Sequence, residues 1–404
     1  MPWKFNQILP ELPPQSLDTR VILVRHGEST FNAQAQYQGS SDESVLTESG
    51  RQAAQQTGNF FGELQIDALY TSSLKRAKET ASQILGAMFP TVPHLPPNQV
   101  YVTSQLREID LPAWQGLAHK FVQENFPADY CCWKQRPHEF EMMSPEGICF
   151  PVLDLYDRAQ QFWQTVISRH IGQTVLIVSH AGMNRALIST ALGLSPAYYH
   201  ALQQSNCGVS ALKFSQGDWQ KAQLEALNLT MHLGANLPQP KGGDRGVRLL
   251  LLPSTIWANQ VQPVTDFLAD VPIQLSLSGA CLDASAIAEQ ILQPHPEAVH
   301  LQVLREDFSE LWQQAIMARQ VENDPCDRLM TGLVIAPEHS LRHLIGRVVG
   351  LEASQLDSLQ LQPGTISILH YAAAEITPIL QTMNLAPSQL AGSLGLSLAE
   401  VAVV

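Results

Sequence analysis

Two short apolar runs, each ending at a histidine, constrain most strongly how this chain of 404 residues can fold. The first run, residues 20–24, leads into Arg25-His26-Gly27, and the second, residues 174–178, leads into Ser179-His180-Ala181. Runs of this length and composition are typical of buried β-strands. In layered α/β sheets ligands bind at the carboxyl ends of strands, so both histidines are predicted to face a ligand site.

Helix and strand signals between these runs complete an alternating pattern. Thr47 can cap a helix that continues through Leu64. A second strand is predicted over residues 67–70, and a second helix is predicted from about Leu74 to Met88. Strands that alternate with helices predict a layered α/β domain.

Composition and charge exclude several classes of function. The net charge is −13, from 24 basic and 37 acidic residues, and no Lys/Arg cluster stands out, so no nucleic-acid partner is expected. The longest obvious apolar run, residues 249–252, is far shorter than the ~20 residues that span a bilayer, so no membrane association is expected. The first residues lack the continuous apolar stretch of a signal peptide. The oligomeric state stays open.

Cysteines and histidines give little support for a metal site. The six cysteines form no CxxC pair, so zinc is not predicted and a reducing compartment such as the cytoplasm is expected. His339 and His343 lie four residues apart on a predicted helix, but the HExxH order is absent. A solvated helix face is the favoured interpretation, and no metal or cofactor is predicted.

A segment rich in proline, glycine and charge divides the chain. Residues 236–246 are NLPQPKGGDRG, a composition typical of a linker. Because domains contain roughly 100–200 residues, two domains are expected in a chain of this length. We predict domains over residues 1–237 and 247–404, joined by a linker over residues 238–246.

An internal repeat relates the two predicted domains. Residues 174–214 align without gaps to residues 331–371, and Arg185 matches Arg342. The repeat extends backwards through two further pairs of segments, residues 20–27 with 248–255 and residues 106–108 with 304–306. A tryptophan follows each segment of the second pair, at Trp114 and at Trp312. Two unrelated strand–helix units with the same apolar periodicity are the alternative, but the gap-free length favours duplication.

The second copy lacks most of the polar residues that the first copy carries at strand ends. The aligned pairs are Arg25 with Pro253, His26 with Ser254, Arg76 with Asp283, His180 with Pro337, and Glu108 with Glu306. Only the glutamate is kept. We therefore predict that the C-terminal half retained the scaffold and lost the chemistry, and that it buttresses or partly covers the N-terminal half.

The first copy carries residue types suited to phosphoryl transfer. His26 is a candidate nucleophile, and the glycine after it lets a ligand approach the backbone closely. Arg25 and Arg76 offer forked donors to phosphoryl oxygens, and each charge-assisted hydrogen bond is worth about 1.5–3 kcal/mol. Glu108 can protonate a leaving oxygen, and His180 is a further donor. Each of these signals is weak when it is taken alone.

In combination, these segments resemble the phosphoglycerate-mutase-like branch of the histidine phosphatase superfamily. Four motifs carry the resemblance: VRHGESTFN at 24–32, SSLKRAKETA at 72–81, LRE at 106–108 and VSHAG at 178–182. The loops at 39–50, 106–117 and 204–214 further resemble the plant 2-carboxy-D-arabinitol-1-phosphatase group. That group hydrolyses a sugar-acid phosphate and carries a degenerate second phosphatase-like domain.

The resemblance implies an α/β fold of two tandem phosphoglycerate-mutase-like, three-layer α/β/α domains, the second degenerate. It also implies a phosphomonoesterase without metal or cofactor that acts on a small phosphorylated metabolite, such as a sugar or sugar-acid phosphate. His26 would form a phosphohistidine, and Glu108 would act as acid and then as base. Contacts to the phosphoryl group are implied for Arg25, Asn32, Gly39, Arg76, His180 and Ala181.

Three positions depart from the family pattern and leave the substrate open. Pro112 and Gln115 replace the usual Gly and Glu of a G-x-W-E-G element, and Ala181 replaces the first Gly of His-Gly-Gly. A 2,3-bisphosphoglycerate-dependent phosphoglycerate mutase is an alternative, although the Arg-His-Tyr-Gly segment of such mutases is absent from the sequence. Two further hypotheses are a phosphoserine phosphatase of the same family and a protein that senses phosphometabolites without turnover.

Overall fold

Helices and strands alternate along most of the chain. The computed structural model describes residues 4–9, 12–13, 15–89, 96, 99–145, 147–240, 243, 245–279, 282–303, 328–372 and 378–387. Its helices are α1 (Phe5–Ile8), α2 (Thr30–Ala33), α3 (Glu48–Phe61), α4 (Lys75–Met88), α5 (His119–Asn125), α6 (Pro127–Gln135), α7 (Pro151–Arg169), α8 (Ala181–Leu192), α9 (Ala258–Leu268), α10 (Leu282–Ile291) and α11 (Glu338–Val349). Its strands are β1 (Thr19–Arg25), β2 (Ala68–Ser72), β3 (Val100–Thr103), β4 (Met142–Ser144), β5 (Gly147–Cys149), β6 (Thr174–Ser179), β7 (Val209–Phe214), β8 (Ala222–Leu229), β9 (Val247–Pro253), β10 (Leu275–Ser278), β11 (Val299–Gln302), β12 (Met330–Ala336), β13 (Ile366–Tyr371) and β14 (Ile379–Leu385).

One continuous sheet joins twelve strands of the described residues. Its order is β11-β10-β12-β9-β13-β14-β8-β7-β1-β6-β2-β3, and β4 with β5 forms a separate hairpin. Counted outward from the central pair β8 and β14, the two halves follow the same order of strands. In each half the four outer strands run parallel to one another. Each of the two inner strands is antiparallel to both of its neighbours.

Strands β8 and β14 connect the two halves of the sheet as antiparallel neighbours. Two isolated bridges lie beside this pair, Leu202 with Leu380 and Leu224 with Leu359. Residues 202 and 359 are equivalent in the internal repeat, so the bridges occupy equivalent places in the two halves. The junction is therefore built twice from the same kind of contact.

Helices cover both faces of the sheet, and β1 shows how its side chains are divided between them. Val21 and Leu23 belong to one apolar cluster with residues of α7 and α8, and Ile22 and Val24 belong to another with residues of α3 and α4. This division follows from the two-residue period of a strand. Each fully buried side chain of this kind contributes about 1.5–3 kcal/mol. Burial on both faces fixes β1 in the middle of the first half.

The predicted α/β class and the predicted strands are confirmed. The side chain of Thr47 accepts a hydrogen bond from the Gly50 backbone N–H, which caps α3 as predicted. This helix ends at Phe61 and not at Leu64, because Gly62 takes a φ of +56°, outside the helical region. The strand predicted at residues 67–70 lies at 68–72, a small shift of its boundaries.

Some sequence predictions concern residues that the structure does not describe, and others concern properties that it does not test. Residues 304–306, Trp312, Cys281 and Cys326 lie outside the described residues, as do positions 241, 242 and 244 of the predicted linker. Within the described ranges, no helix has both the length and the apolar character needed to cross a bilayer. The cytoplasmic location stays a prediction.

Candidate active site

The two histidines that the sequence singles out lie side by side. β1 and β6 are parallel neighbours in which Arg25 pairs with Ser179, so His26 and His180 leave the sheet at the same edge. The His26 backbone N–H donates to the Ser179 carbonyl at 2.8 Å. The two imidazole centroids are 5.1 Å apart, and both rings are buried. Strand pairing thus brings together two residues that are distant in the sequence.

His26 has one ring nitrogen occupied and one free. Its Nδ1 lies 2.7 Å from the Gly27 carbonyl oxygen. Because a carbonyl oxygen only accepts, this contact assigns the proton to Nδ1 and leaves a lone pair on Nε2. Burial, followed by the positive charges of Arg76 and Arg25, holds the pKa of His26 well below its usual value. The imidazole is therefore neutral at neutral pH, with Nε2 available as a nucleophile.

His180 is also held in the neutral form. Burial, and then the positive charge of Arg76, keeps the pKa of His180 well below its usual value. Its Nε2 lies 2.8 Å from the hydroxyl of Ser72, which ends β2. Its Nδ1 is buried and has no hydrogen-bond partner among the described residues. Nδ1 of His180 is thus left to bind a ligand.

Two guanidinium groups supply the positive charge of the site. Arg76, in the first turn of α4, is fully buried and donates to the carbonyls of Ser41 at 2.7 Å and Gly39 at 2.9 Å. Arg25 donates to the Gln204 carbonyl at 2.8 Å. Burial lowers the pKa of each arginine to about 10, so both stay charged at neutral pH. The Nε atoms of both are buried without a partner in the described part of the chain, which leaves two donors for an anion.

Glu108 lies against the first turn of α8. Its carboxylate accepts hydrogen bonds from the backbone N–H groups of Ile109 at 2.9 Å, Gly182 at 3.1 Å and Met183 at 3.1 Å. The first amides of a helix lack partners within the helix, and the positive end of the helix dipole stabilises a negative charge. The Glu108 carboxylate also raises the pKa of both Arg25 and Arg76 against the effect of burial. The glutamate and the arginines therefore face one site.

Gly182 is required by the close approach of α8 to Glu108. A Cβ atom at this position would collide with Oε1 of Glu108 and with the hydroxyl of Tyr199. Tyr199 is buried, and the guanidinium of Arg185 lies over its ring at 5.6 Å from the centroid. The lack of space for a side chain thus explains the glycine of the VSHAG segment, and the sequence did not reveal this constraint.

Three further residues are predicted to contact a phosphoryl group, namely Asn32, Gly39 and Ala181. Oδ1 of Asn32 accepts from the Asn206 Nδ2 group at 3.1 Å, which leaves the Nδ2 group of Asn32 as a donor for a ligand. Gly39, with a φ of +52°, presents its carbonyl to Arg76. Ala181 is the first residue of α8, directly after His180.

Several residues that the sequence did not single out hold these segments together. The hydroxyl of Thr80 accepts from the Gly27 backbone N–H at 3.0 Å and donates to the Arg76 carbonyl at 2.7 Å. This bond joins the loop after β1 to helix α4. Thr80 and Ser72 both lie inside the SSLKRAKETA motif, and that position is the signal that could have identified them.

Gln204 and Asn206 form a second group of supporting residues. The Gln204 carbonyl accepts from Arg25, and the Asn206 side chain donates to the His26 carbonyl at 2.9 Å. Both residues belong to the segment 204–214, which the sequence marks as a loop without indicating single roles. The structure corrects this expectation in part, because residues 209–214 pair with β1 as strand β7 and only residues before 209 form a loop beside the site.

A cavity of about 500 Å³ lies between helix α7 and the β4–β5 hairpin. Its polar lining comprises Asp110, Ser144, Cys149, Asp154 and Arg158. Arg158 donates to the Glu108 carbonyl at 3.2 Å. Gln115, which departs from the family pattern, donates to the Asp110 carboxylate at 2.9 Å. This departure therefore lies at the rim of the cavity.

The remaining metal candidates lie away from this centre. His339 and His343 are both exposed on α11, which confirms the interpretation of a solvated helix face. Among the described residues, no group of three or more His, Cys, Asp or Glu side chains is placed to hold a metal ion.

Comparison with known families and proteins places residues 20 to about 230 in a recognised group. A family model described as "Histidine phosphatase superfamily (branch 1)" matches residues 21–227. The chain is 39% identical over 206 residues to 2-carboxy-D-arabinitol-1-phosphatase from Triticum aestivum, covering 51% of this chain and 39% of that protein. It is 31% identical over 215 residues to phosphoserine phosphatase 1 from Hydrogenobacter thermophilus, covering 53% of this chain and 94% of that protein.

The extent of these matches differs between the relatives. The chain spans about two fifths of the length of two plant relatives, 39% for the wheat protein and 38% for a probable 2-carboxy-D-arabinitol-1-phosphatase from Arabidopsis thaliana. Among solved structures, a phosphoserine phosphatase from Entamoeba histolytica in complex with 3-phosphoglyceric acid is 26% identical. That alignment covers 53% of this chain and 99% of the other, with a TM-score of 0.45.

Replacement Gly182→Ala tests the contact between α8 and Glu108. The added methyl group must displace the Glu108 carboxylate, and a shift of about 1 Å at such a group costs on the order of 100-fold in rate. We expect kcat for para-nitrophenyl phosphate hydrolysis, the activity that the sequence predicts, to fall by about that factor. Gly86→Ala in α4 is the matched control, because its Cβ meets nothing within 4 Å. A Gly182→Ala protein that keeps more than half of the wild-type kcat would contradict this account.

Buried neutral histidines predict a fall in stability below pH 6.5. Burial lowers the pKa of His232 from 6.5 to about 3, and the pKa values of His26 and His180 are also lowered. Between the lowered value and 6.5 the unfolded chain binds protons that the folded chain does not, so the free energy of unfolding decreases as pH falls. Each histidine contributes up to about 1.4 kcal/mol per pH unit in that range.

Urea denaturation between pH 7.5 and 5 measures this dependence. His232, which stacks on Phe60 and lies 3.0 Å from the Thr57 hydroxyl, can be replaced without touching the candidate active site. We expect His232→Gln to reduce the slope of the free energy of unfolding against pH by the contribution of one histidine, up to about 1.4 kcal/mol per pH unit. An unchanged slope in that variant would show that His232 does not titrate as stated.

Proposed function

Since the chain belongs to the histidine phosphatase superfamily, we propose that it hydrolyses a phosphate monoester through a phosphohistidine at His26. The observation that carries this proposal is the Nε2 lone pair of His26 beside the buried Nε donors of Arg25 and Arg76, which have no partner within the described residues. If the Ser72 hydroxyl donates to Nε2 of His180, the unpartnered Nδ1 of that ring carries the proton and is a third donor. Buried donors need acceptors, and the oxygens of one phosphoryl group can supply them.

In the first step, Nε2 of His26 attacks phosphorus as the bond from phosphorus to the leaving oxygen breaks. The low pKa of His26 means that the ring needs no prior deprotonation. Arg25, Arg76 and His180 donate to the phosphoryl oxygens while charge is redistributed over them. The bond from Nδ1–H to the Gly27 carbonyl strengthens as the ring becomes positive.

Glu108 transfers the protons of both steps. It enters the first step protonated and gives this proton to the departing alkoxide. The resulting carboxylate then takes a proton from the water that breaks the phosphorus–nitrogen bond, which restores the protonated glutamate. Inorganic phosphate leaves, and His26 returns to its neutral form. The backbone N–H groups of Ile109, Gly182 and Met183 hold the carboxylate in one position for both transfers.

A small sugar or sugar-acid phosphate is the substrate class that we favour. We propose that the cavity lined by Asp110, Asp154 and Arg158 receives the rest of the substrate, because Arg158 donates to the Glu108 carbonyl. The two carboxylates accept from hydroxyl groups, and Arg158 can pair with a carboxylate. The wheat and Arabidopsis relatives carry the name of a sugar-acid phosphatase. Phosphoserine stays as an alternative, supported by the phosphoserine phosphatase that the chain covers almost completely.

We also propose that residues 1–237 and 247–404 are tandem domains of one fold, joined by a linker over residues 238–246. The identical strand order and strand directions of the two halves support this proposal. The second domain is degenerate in its chemistry. The residues at its equivalent strand ends are Pro253, Ser254 and Pro337, in place of Arg25, His26 and His180.

Substitution His26→Ala should abolish turnover. We expect phosphate release to fall by about 10⁴-fold or more, because a residue of the nucleophilic set cannot be replaced by the remaining binding contacts. The measurement is inorganic phosphate released from sugar phosphates, sugar bisphosphates, phosphoserine and 3-phosphoglycerate. His343→Ala, an exposed histidine on α11, is the matched control and should keep full activity.

The same assay separates hydrolysis from phosphoryl transfer. Phosphate release without net transfer between positions of 3-phosphoglycerate supports a phosphatase, whereas efficient transfer supports the mutase hypothesis. Appreciable hydrolysis by His26→Ala would remove His26 from its role. Binding of phosphate esters without turnover by the wild-type protein would support the sensor hypothesis.

Removal of the second domain should destabilise the first. A chain that ends at residue 237 leaves the edge of β8 unpaired, and exposed edge strands favour aggregation. We expect a lower midpoint of urea denaturation and concentration-dependent association, measured by fluorescence and light scattering. A truncated protein with the full stability of the intact chain would contradict a buttressing role.

A further inference from the structure

The loop of residues 203–207 supports the candidate active site from one side. Its Gln204 carbonyl accepts from Nη1 of Arg25 at 2.8 Å. Its Asn206 side chain donates to the His26 carbonyl at 2.9 Å. The 203–207 loop therefore holds the guanidinium of Arg25 and the backbone of the nucleophile at the same time.

This loop is bound on its other side to strand β14, which belongs to the C-terminal half. The Gln203 backbone N–H donates to the Leu380 carbonyl at 2.9 Å, and the Leu380 N–H donates to the Ala201 carbonyl at 2.7 Å. The Gln381 side chain donates to Oε1 of Gln203 at 3.2 Å. Gln203 and Gln381 are buried, so water does not compete with these bonds. The loop lies between the phosphoryl-binding residues and the degenerate half.

Asn228 in β8 joins the loop and β14 through one side chain. Its Oδ1 accepts from the Ser205 backbone N–H at 2.7 Å, and its Nδ2 donates to the Ser205 hydroxyl at 3.2 Å. The same Nδ2 group donates to the Gln381 carbonyl at 2.8 Å. Asn228 is fully buried, so the loss of this side chain leaves several polar groups without partners.

Asn384 in β14 is the counterpart of Asn228 in the second half. Both residues have a positive φ, +49° for Asn228 and +61° for Asn384, and both are fully buried. Nδ2 of Asn384 donates to the Glu225 carbonyl at 2.7 Å, across the junction of the two halves. Its Oδ1 accepts from the Gln362 N–H at 3.1 Å. The segment that it holds belongs to the half without a nucleophile.

We infer that the degenerate half positions Arg25 for phosphoryl binding, with Asn228 as the positioning residue. This inference rests on the proposed phosphatase function. The contacts run from β14 through Asn228 to Ser205, and from the neighbouring Gln204 to the Arg25 guanidinium. A guanidinium fork binds phosphoryl oxygens strongly only in a defined orientation, so a loosened loop weakens anion binding. The second half thus contributes to the site without touching the substrate.

The pair Asn228→Gly and Asn384→Gly tests this inference in the full-length chain. Glycine adopts a positive φ without strain, so each substitution removes a side chain and keeps the backbone conformation. The readouts are the Kd of inorganic phosphate by calorimetry and the kcat and KM for hydrolysis. The midpoint of thermal unfolding is measured for both variants, because each loses a buried junction contact of the same kind.

We expect the two variants to lose similar stability and to differ in phosphate binding. Asn228→Gly should weaken the Kd of phosphate and lower kcat/KM by about tenfold or more, the effect of losing one charge-assisted bond. Asn384→Gly should stay within twofold of the wild type. Equal effects in both variants, or no effect of Asn228→Gly, would overturn the inference. A wild-type protein that neither binds phosphate nor hydrolyses esters would instead overturn the proposed function.

A second pair of variants and an activity-independent readout complete the test. Gln381→Leu removes the bond to Gln203, and Thr365→Val removes a bond to the Gln362 carbonyl within the C-terminal half. Only Gln381→Leu should weaken phosphate binding. Hydrogen exchange at Ser205 should accelerate in Asn228→Gly and not in Asn384→Gly, and unchanged exchange would overturn the coupling even without an activity assay.

Discussion

The parallel pairing of β1 with β6 is the contact on which the candidate active site depends. It sets Arg25 opposite Ser179, so that His26 and His180 emerge together and their rings lie 5.1 Å apart. A shift of one residue would turn every side chain of a strand to the opposite face. The side chains of β1 are buried on both faces, so such a shift would force each of them into a space packed for a different side chain and would separate the buried ion pair of Arg20 and Glu225. Hydrophobic burial in the sheet thereby determines the geometry of polar groups at its edge.

Electrostatic balance within the pocket is local. The chain carries a net charge of −13, yet the guanidinium groups of Arg25 and Arg76 lie close to the carboxylate of Glu108 within the site. Exposed charges beyond the Debye length of about 8 Å are largely screened, so the acidic surface has little influence there. Carbonyl oxygens of Gly39, Ser41 and Gln204 stabilise the guanidinium groups. Buried donors without a partner among the described residues reduce folding stability, a compromise that functional sites commonly show.

The continuous sheet gives the second half a physical role even without chemistry of its own. β14 covers the edge of β8, which would otherwise be an open edge of a large sheet. The junction is held by equivalent contacts in the two halves, including the twin residues Asn228 and Asn384. Only Asn228 contacts the 203–207 loop beside the candidate active site.

The sequence by itself determined the α/β class and the internal repeat, because apolar periodicity and motif order are local properties of the chain. It also singled out His26, Glu108, Arg25, Arg76 and His180, which the structure brings to one place, and the comparisons identified the family. Tertiary structure alone decided the steric demand at Gly182, the bond between Arg25 and the Gln204 carbonyl, and the bond between Asn228 and the Ser205 backbone. Hydrogen bonds between chain-distant residues arise only when the sheet closes across both halves, and no local pattern encodes them.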